Sequence, residues 1–102
     1  MKLEHYSINK LKRDIINIIG KYLDLDSYQI FFFGSRVDGR ANKRSDIDIG
    51  IKGSKPIPYE IMARIKDDIG ELPILYKIDI VDFNRVNKNF HEIATKRTIP
   101  IK

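Results

Sequence analysis

The chain has 102 residues, 42% of them hydrophobic and 32% charged, which is enough for one modest core and ordinary for a water-soluble protein. Its 19 Lys and Arg against 14 Asp and Glu leave a charge of +5, a mild excess with no long basic run, so nucleic acid is not expected as the principal ligand. Cysteine is absent, which excludes a disulfide framework, a Cys zinc site and a thiol nucleophile.

The start, Met1-Lys2-Leu3-Glu4-His5, opens no signal-like apolar segment, and the longest apolar run, Ile30 to Phe33, is too short for a bilayer. A cytoplasmic protein without a membrane partner is therefore expected, with residues 1–102 forming a single domain. Ser7 reads as the N-cap of a helix whose apolar positions, Ile8, Leu11, Ile15, Ile18, Ile19, Tyr22 and Leu23, recur every three or four residues. Gly20 weakens that helix without having to end it. Tyr28 to Phe33 is aromatic and nearly continuous in apolar character, as a central strand is. It runs into Gly34-Ser35 and a possible single helical turn to Gly39, then a polar, basic loop from Arg40 to Arg44.

Ser45 to Ile51 reads as a second strand. Successive side chains of a strand face opposite ways, so Asp46 and Asp48 share one face while Ile47, Ile49 and Ile51 share the other. Two steps of about 3.3 Å set the aspartates roughly 6.6 Å apart along the chain. That spacing lets two carboxylates converge on one divalent ion or bracket two ions about 4 Å apart. A single D-x-D is more often a surface feature than a metal site. Here the pair stands among apolar positions, where uncompensated carboxylates are costly and a bound cation is the natural remedy. The amides of Gly34 and Ser35, just ahead of a helical turn, suit phosphate oxygens. Together these features point to metal-assisted chemistry on a nucleotide.

A second amphipathic helix fits Pro58 to Gly70, with Ile61, Met62, Ile65 and Ile69 on one face. Leu75 to Val81 reads as a third strand, in which Asp79 lies between Ile78 and Ile80 as Asp48 lies between Ile47 and Ile49. Asp79 is the expected third carboxylate, able to bind metal and help activate a hydroxyl. Its rival, Asp82, falls on the isoleucine side by alternation and fits a cap or turn better. A short helix from Asn87 to Thr95 is expected to turn Phe90, Ile93 and Ala94 inward, and Thr98 to Ile101 fits an edge strand that tolerates Pro100. His5 and His91 lack metal-ligand spacing, and Tyr28, Tyr59 and Tyr76 fit core-edge packing better than stacking on a base.

Gly34-Ser35, Gly39 and Ser45-Asp46-Ile47-Asp48 resemble the nucleotidyltransferase signature G-S-x-x-x-G-x-x-x-x-x-S-D-x-D, and Lys77 to Asp82 resembles that superfamily's third-aspartate strand. The likeness is to the polymerase-beta-like superfamily, and by size to its minimal nucleotidyltransferase (MNT) branch. It implies an α/β (α+β) fold, a small mixed sheet with helices packed on one face, that binds ATP with magnesium, two ions in all. Carried over, Asp46, Asp48 and Asp79 are the catalytic and metal-binding residues. Gly34, Ser35, Arg36 and Ser45 are the nucleotide-binding ones, with Ser45 bracing the loop and Gly39 permitting the turn. The similar small proteins transfer AMP to a tyrosine of a HEPN-domain toxin, an RNase, and act as its antitoxin in a hetero-oligomer. Two alternatives remain open from the residues: a non-catalytic module that masks its partner, and a transferase acting on a small-molecule hydroxyl. Neither a Gly-Lys-Ser/Thr P-loop nor G-x-G-x-x-G is present.

Overall fold

The computed structural model describes residues 1–42 and 44–102; Lys43, part of the expected basic loop, lies outside them. Helix α1 spans Ile8–Ile19 and starts where expected, with the Ser7 hydroxyl accepting from Lys10 N at 3.2 Å. Leu11, Ile15, Ile18 and Ile19 form its buried stripe. Gly20 does end it, as the cap residue donating back to Ile16 O at 2.9 Å, so Tyr22 and Leu23 pack from the turn that follows.

Strands β1 (Tyr28–Phe33), β2 (Ile47–Gly53), β3 (Ile78–Asp82) and β4 (Ile99–Pro100) make one sheet in the order β3-β2-β1-β4. The β1 strand is antiparallel to both neighbours, β2 and β4, while β2 and β3 are parallel. Parallel neighbours need a crossover, which helix α3 (Tyr59–Gly70) supplies. The sheet is therefore mixed, as expected. Pro100 lies on the outer strand, where a missing N–H breaks no interior ladder.

Two strands start later than their sequence pattern predicts. The expected first residue of β2, Ser45, is held in a turn by its N–H to Asn42 O at 3.2 Å, so ladder pairing begins at Ile47. Leu75 was the expected start of β3, but it is 86% exposed and the strand begins at Ile78, opposite Ile47.

The face carrying Ile30, Phe32, Ile47, Ile49, Ile51 and Ile80 packs with the buried side chains of α1 and α3 into the main core. The other face carries Phe31 and Phe33, tilted to each other with centroids 6.2 Å apart and each edge-to-face with Phe83 at 5.0 Å. Gly50 is required between them, since a Cβ there would collide with the rings of Phe31 and Phe83. Helix α4 (Lys88–Ala94) lies against this second face, with Phe90 edge-on to Phe33 at 6.2 Å. Its apolar residues are less buried than expected: Phe90 is 41% exposed and Ile93 is 68% exposed. A seven-residue helix resting on the rim of an aromatic cluster cannot sink its whole stripe. Among the described residues no helix is long and apolar enough to cross a membrane.

Candidate active site

The ladder pairs Phe33 with Asp48 and Asp48 with Asp79, so the three stand in one row across β1, β2 and β3 and project from the same face. Adjacent strands lie about 4.8 Å apart. The register alone thus sets the Asp48 and Asp79 carboxylates side by side. Asp46 comes two residues before Asp48, just ahead of the ladder, with its carboxylate 3.8 Å from Lys77 Nζ. Asp79 is exposed and Asp48 is half-buried.

The electrostatics agree with this placement. Burial, followed by the charge of Asp79 and then that of Asp46, pushes the Asp48 carboxyl from 3.8 up to about 6. Asp48 is thus partly dehydrated and repelled by two acidic neighbours, a setting that favours a bound cation over a bare carboxylate.

Gly34 closes the site from above. Its backbone sits at φ 84° and ψ −162°, and a Cβ there would strike the Asp48 carboxylate. It opens the one-turn helix α2 (Ser35–Asp38), whose Val37 and Asp38 N–H groups both donate to Gly34 O at 3.0 Å. Gly39 ends that turn in the left-handed region at φ 80°. Ser35 is the first residue of α2, directly after Gly34 and not among the residues that line the cleft over the row.

Arg36 and Ser45 stand on the other side of α2. Arg36 Nε donates to Ser45 O at 2.8 Å, and its guanidinium lies 4.7 Å above the Tyr76 ring. The Ser45 hydroxyl accepts from Asn42 N at 3.0 Å, which braces the loop before the aspartates as expected. Tyr76 also takes part in a way the sequence pattern did not signal, its hydroxyl accepting from the N–H groups of Glu4 and His5 at 2.9 and 3.3 Å.

A cleft of about 340 Å³ opens over the row, lined by Gly34, Asp48 and Asp79 and by Phe90, Ile93 and Ala94 of α4. Arg40, ion-paired to Asp38 at 2.6 Å, stands at its edge. A separate cleft of about 410 Å³ lies beside Arg36 and Tyr76. The structure therefore gathers Gly34, Asp48 and Asp79 into one cleft, couples Asp46 to them by charge, and sets Arg36 and Ser45 behind. The participation of Phe90 and Ile93 had no sequence signal, because the pattern only marked them as apolar.

Asp82 is the last residue of β3, level with Ile51, rather than a cap or turn residue beyond the strand, but it is not part of this row. Its carboxylate is 7% exposed, accepts from Ile57 N at 2.8 Å and Asn84 N at 2.9 Å, and pairs with Arg85 at 3.4 Å. It fastens the entrance of α3 to the end of β3. The histidines are elsewhere too: His5 is beside Tyr76, and His91 meets Lys52 at 2.9 Å.

Among the described residues no three His, Asp or Glu side chains stand preformed as an ion cage. The donor set nonetheless fits magnesium, a hard ion that keeps several waters and binds through one or two carboxylates completed by substrate phosphates.

Residues 9–102 match the family model described as polymerase beta, nucleotidyltransferase. The chain belongs to this nucleotidyltransferase family. It is 32% identical over 75 residues to the probable protein adenylyltransferase MntA of Haemophilus influenzae, a match spanning 74% of this chain and 66% of that protein, just under two thirds of its length. The nucleotidyltransferase fold is also that of a toxin–antitoxin crystallised with AMP-PNP (TM-score 0.71, 16% identity, covering 89% of this chain and 72% of the other). It is found again in the complex of a tri-AMPylated Shewanella oneidensis HEPN toxin with an MNT antitoxin (TM-score 0.61, 15% identity, covering 93% and 72%).

Proposed function

We propose that this nucleotidyltransferase is a magnesium-dependent protein adenylyltransferase, one cytoplasmic domain that moves AMP from ATP to a tyrosine hydroxyl of a HEPN-type toxin and so acts as its antitoxin. The observation that carries the reading is the in-register row of Asp48 and Asp79 beneath Gly34, with Asp46 close enough to raise the Asp48 carboxyl further. The relative named as a probable protein adenylyltransferase supports the acceptor class, and the toxin–antitoxin complexes of like fold support the partner.

In this mechanism the N–H groups of Gly34 and Ser35 hold the triphosphate tail. Arg36, tied to Ser45 O behind the cleft, adds positive charge from that side. Asp46, Asp48 and Asp79 would hold magnesium, which when bound supplies charge neutralisation at the phosphates. The acceptor oxygen attacks the α-phosphorus, the bond from that phosphorus to the bridging oxygen of the β-phosphate breaks, and pyrophosphate leaves with the electron pair. Asp79 takes the hydroxyl proton. Its exposure on the outer strand β3 leaves it reachable by an acceptor as large as a protein side chain.

The test is incubation with α-labelled ATP, magnesium and a HEPN-type toxin, taken from the neighbouring reading frame where that frame encodes one. Label on that protein, lost in the Asp46→Asn/Asp48→Asn double variant, is the expected result. If the double variant transfers nothing yet still neutralises the toxin, masking is the mechanism and transfer is incidental.

A further inference from the structure

We infer that Arg36 and Tyr76 are positioning residues for Asp46, clamping from behind the cleft the peptide unit that carries its carboxylate. This rests on the transfer reading above and adds the residues that fix the first of its three acids. Asp46 needs such support because it stands ahead of the sheet: the ladder of β2 with β3 begins at Ile47, and that of β1 with β2 at Asp48. The carbonyl of the Ser45–Asp46 peptide instead accepts from Arg36 Nε at 2.8 Å, and Arg36 Nη2 reaches Asn42 O at 3.5 Å on the same turn. A peptide unit is planar, so holding Ser45 O also sets where the Asp46 Cα stands. Arg36 comes two residues after Gly34, and its tie therefore joins the bend over Asp48 to the turn before Asp46.

Tyr76 completes the clamp. Its ring lies 4.7 Å from the Arg36 guanidinium, and a stacked fork has fewer orientations to lose when it bonds Ser45 O. The ring is held at its far end, where the hydroxyl accepts from the N–H groups of Glu4 and His5 at 2.9 and 3.3 Å. Tyr76 also leads directly into Lys77, whose carbonyl accepts from Ile47 N at 2.9 Å and whose Nζ lies 3.8 Å from the Asp46 carboxylate. Asp46 is thus gripped through the residue before it and the residue after it. Arg36 and Tyr76 line the cleft of about 410 Å³ behind α2, and neither lines the cleft over the carboxylate row. That placement suits groups that act through another residue, as the outer partners of metal-binding side chains do.

Substitutions at Arg36 separate positioning from charge. Arg36→Gln puts an amide nitrogen as many bonds from Cα as Arg Nε, so it keeps a donor for Ser45 O and loses the charge. Arg36→Lys keeps the charge and loses the planar fork, and Arg36→Met keeps neither. Manganese binding in the presence of AMP-PNP, followed by electron paramagnetic resonance, needs neither acceptor nor turnover. Arg36→Met should weaken it about tenfold, and Arg36→Gln should bind more tightly than Arg36→Lys. In transfer assays with labelled ATP, saturating magnesium and a HEPN-type toxin, Arg36→Met should lower kcat about tenfold or more and move the KM for ATP less than about threefold. Tyr76→Leu should act in the same direction, and by more than Tyr76→Phe, which keeps the ring. Melting is read for each variant; if Arg36→Met melts early, the order of Arg36→Gln against Arg36→Lys decides alone. The inference is overturned if Arg36→Lys matches wild type while Arg36→Gln falls to the level of Arg36→Met, since charge is then the whole effect. It is also overturned if all three variants bind manganese as wild type does, or if wild type binds none. A wild type that labels no acceptor, with the manganese order intact, sinks the transfer reading and leaves the clamp standing.

Discussion

Asp48 is the residue whose environment most opposes its own charge. Its carboxyl is raised from 3.8 to about 6 by burial and by two acidic neighbours, so between those values the folded chain keeps a proton that the unfolded chain has released. That contribution to stability is present in full at low pH and is lost as pH rises through about 6. Metal-free wild type should therefore lose stability on going from pH 5 to pH 7.5, and Asp48→Asn should remove that part of the slope. At pH 7.5 the variant should be more stable by roughly 1 kcal/mol after discounting for solvent screening, with no gain near pH 4, as urea titrations at the two values will read. AMP transfer by the same variant should fall by about a hundredfold or more. Gly34→Ala tests the roof of the site. Strain at positive φ and the clash with the Asp48 carboxylate should together destabilise by about 1–3 kcal/mol and abolish nucleotide binding, measured by melting and by calorimetry with AMP-PNP. Neither glycine strain nor a raised carboxyl is visible in the letters G and D, yet their spacing already marked both residues.

At the scale of elements, β3 carries two aspartates with opposite tasks. Asp79 faces the cleft and is exposed, whereas Asp82 is buried among the backbone amides of Ile57 and Asn84 and the Arg85 guanidinium. Removing a buried, hydrogen-bonded charge leaves those donors unsatisfied, so Asp82→Ala should cost about 2–4 kcal/mol of stability. Asp79→Asn should change stability by less than about 0.5 kcal/mol while removing transfer. Equal destabilisation by the two would reverse the assignment. The choice between them was legible because alternation separates residue 79 from residue 82, and Ile78 and Ile80 identify the apolar face. Strand ends were less legible. Whether Ser45 and Leu75 extend a strand depended on the Asn42 turn and on where β2 and β3 first pair, neither of which is a local property.

For the molecule as a whole, the sheet divides the work. One face is an isoleucine core sealed by α1 and α3, and the other combines an aromatic cluster with the acidic row. A ligand that binds only the folded form raises its stability by mass action. Magnesium with AMP-PNP, each at about ten times its dissociation constant, should raise the melting temperature of wild type by several degrees, and that of the Asp46→Asn/Asp48→Asn variant hardly at all. Phe32, fully buried at the centre of the isoleucine core, gives the contrasting case: Phe32→Ala should lose about 3–5 kcal/mol with or without ligand.

The sequence by itself determined the chemistry class and the frame that carries it. Period-two isoleucines set Asp48 on the side away from the core, a Gly-Ser bend precedes a helical turn, and a third aspartate repeats the setting of the second. These are local patterns, and a strand's alternation holds wherever the strand ends up. Only the tertiary structure decided that Asp79 stands level with Asp48, that Asp46 is near enough to add to the repulsion, that Arg36 reaches back to Ser45, and that α4 leaves Phe90 and Ile93 open beside the acids. Each of those facts depends on the register between distant segments or on how far a short helix can sink, and neither is contained in the spacing of neighbours along a chain.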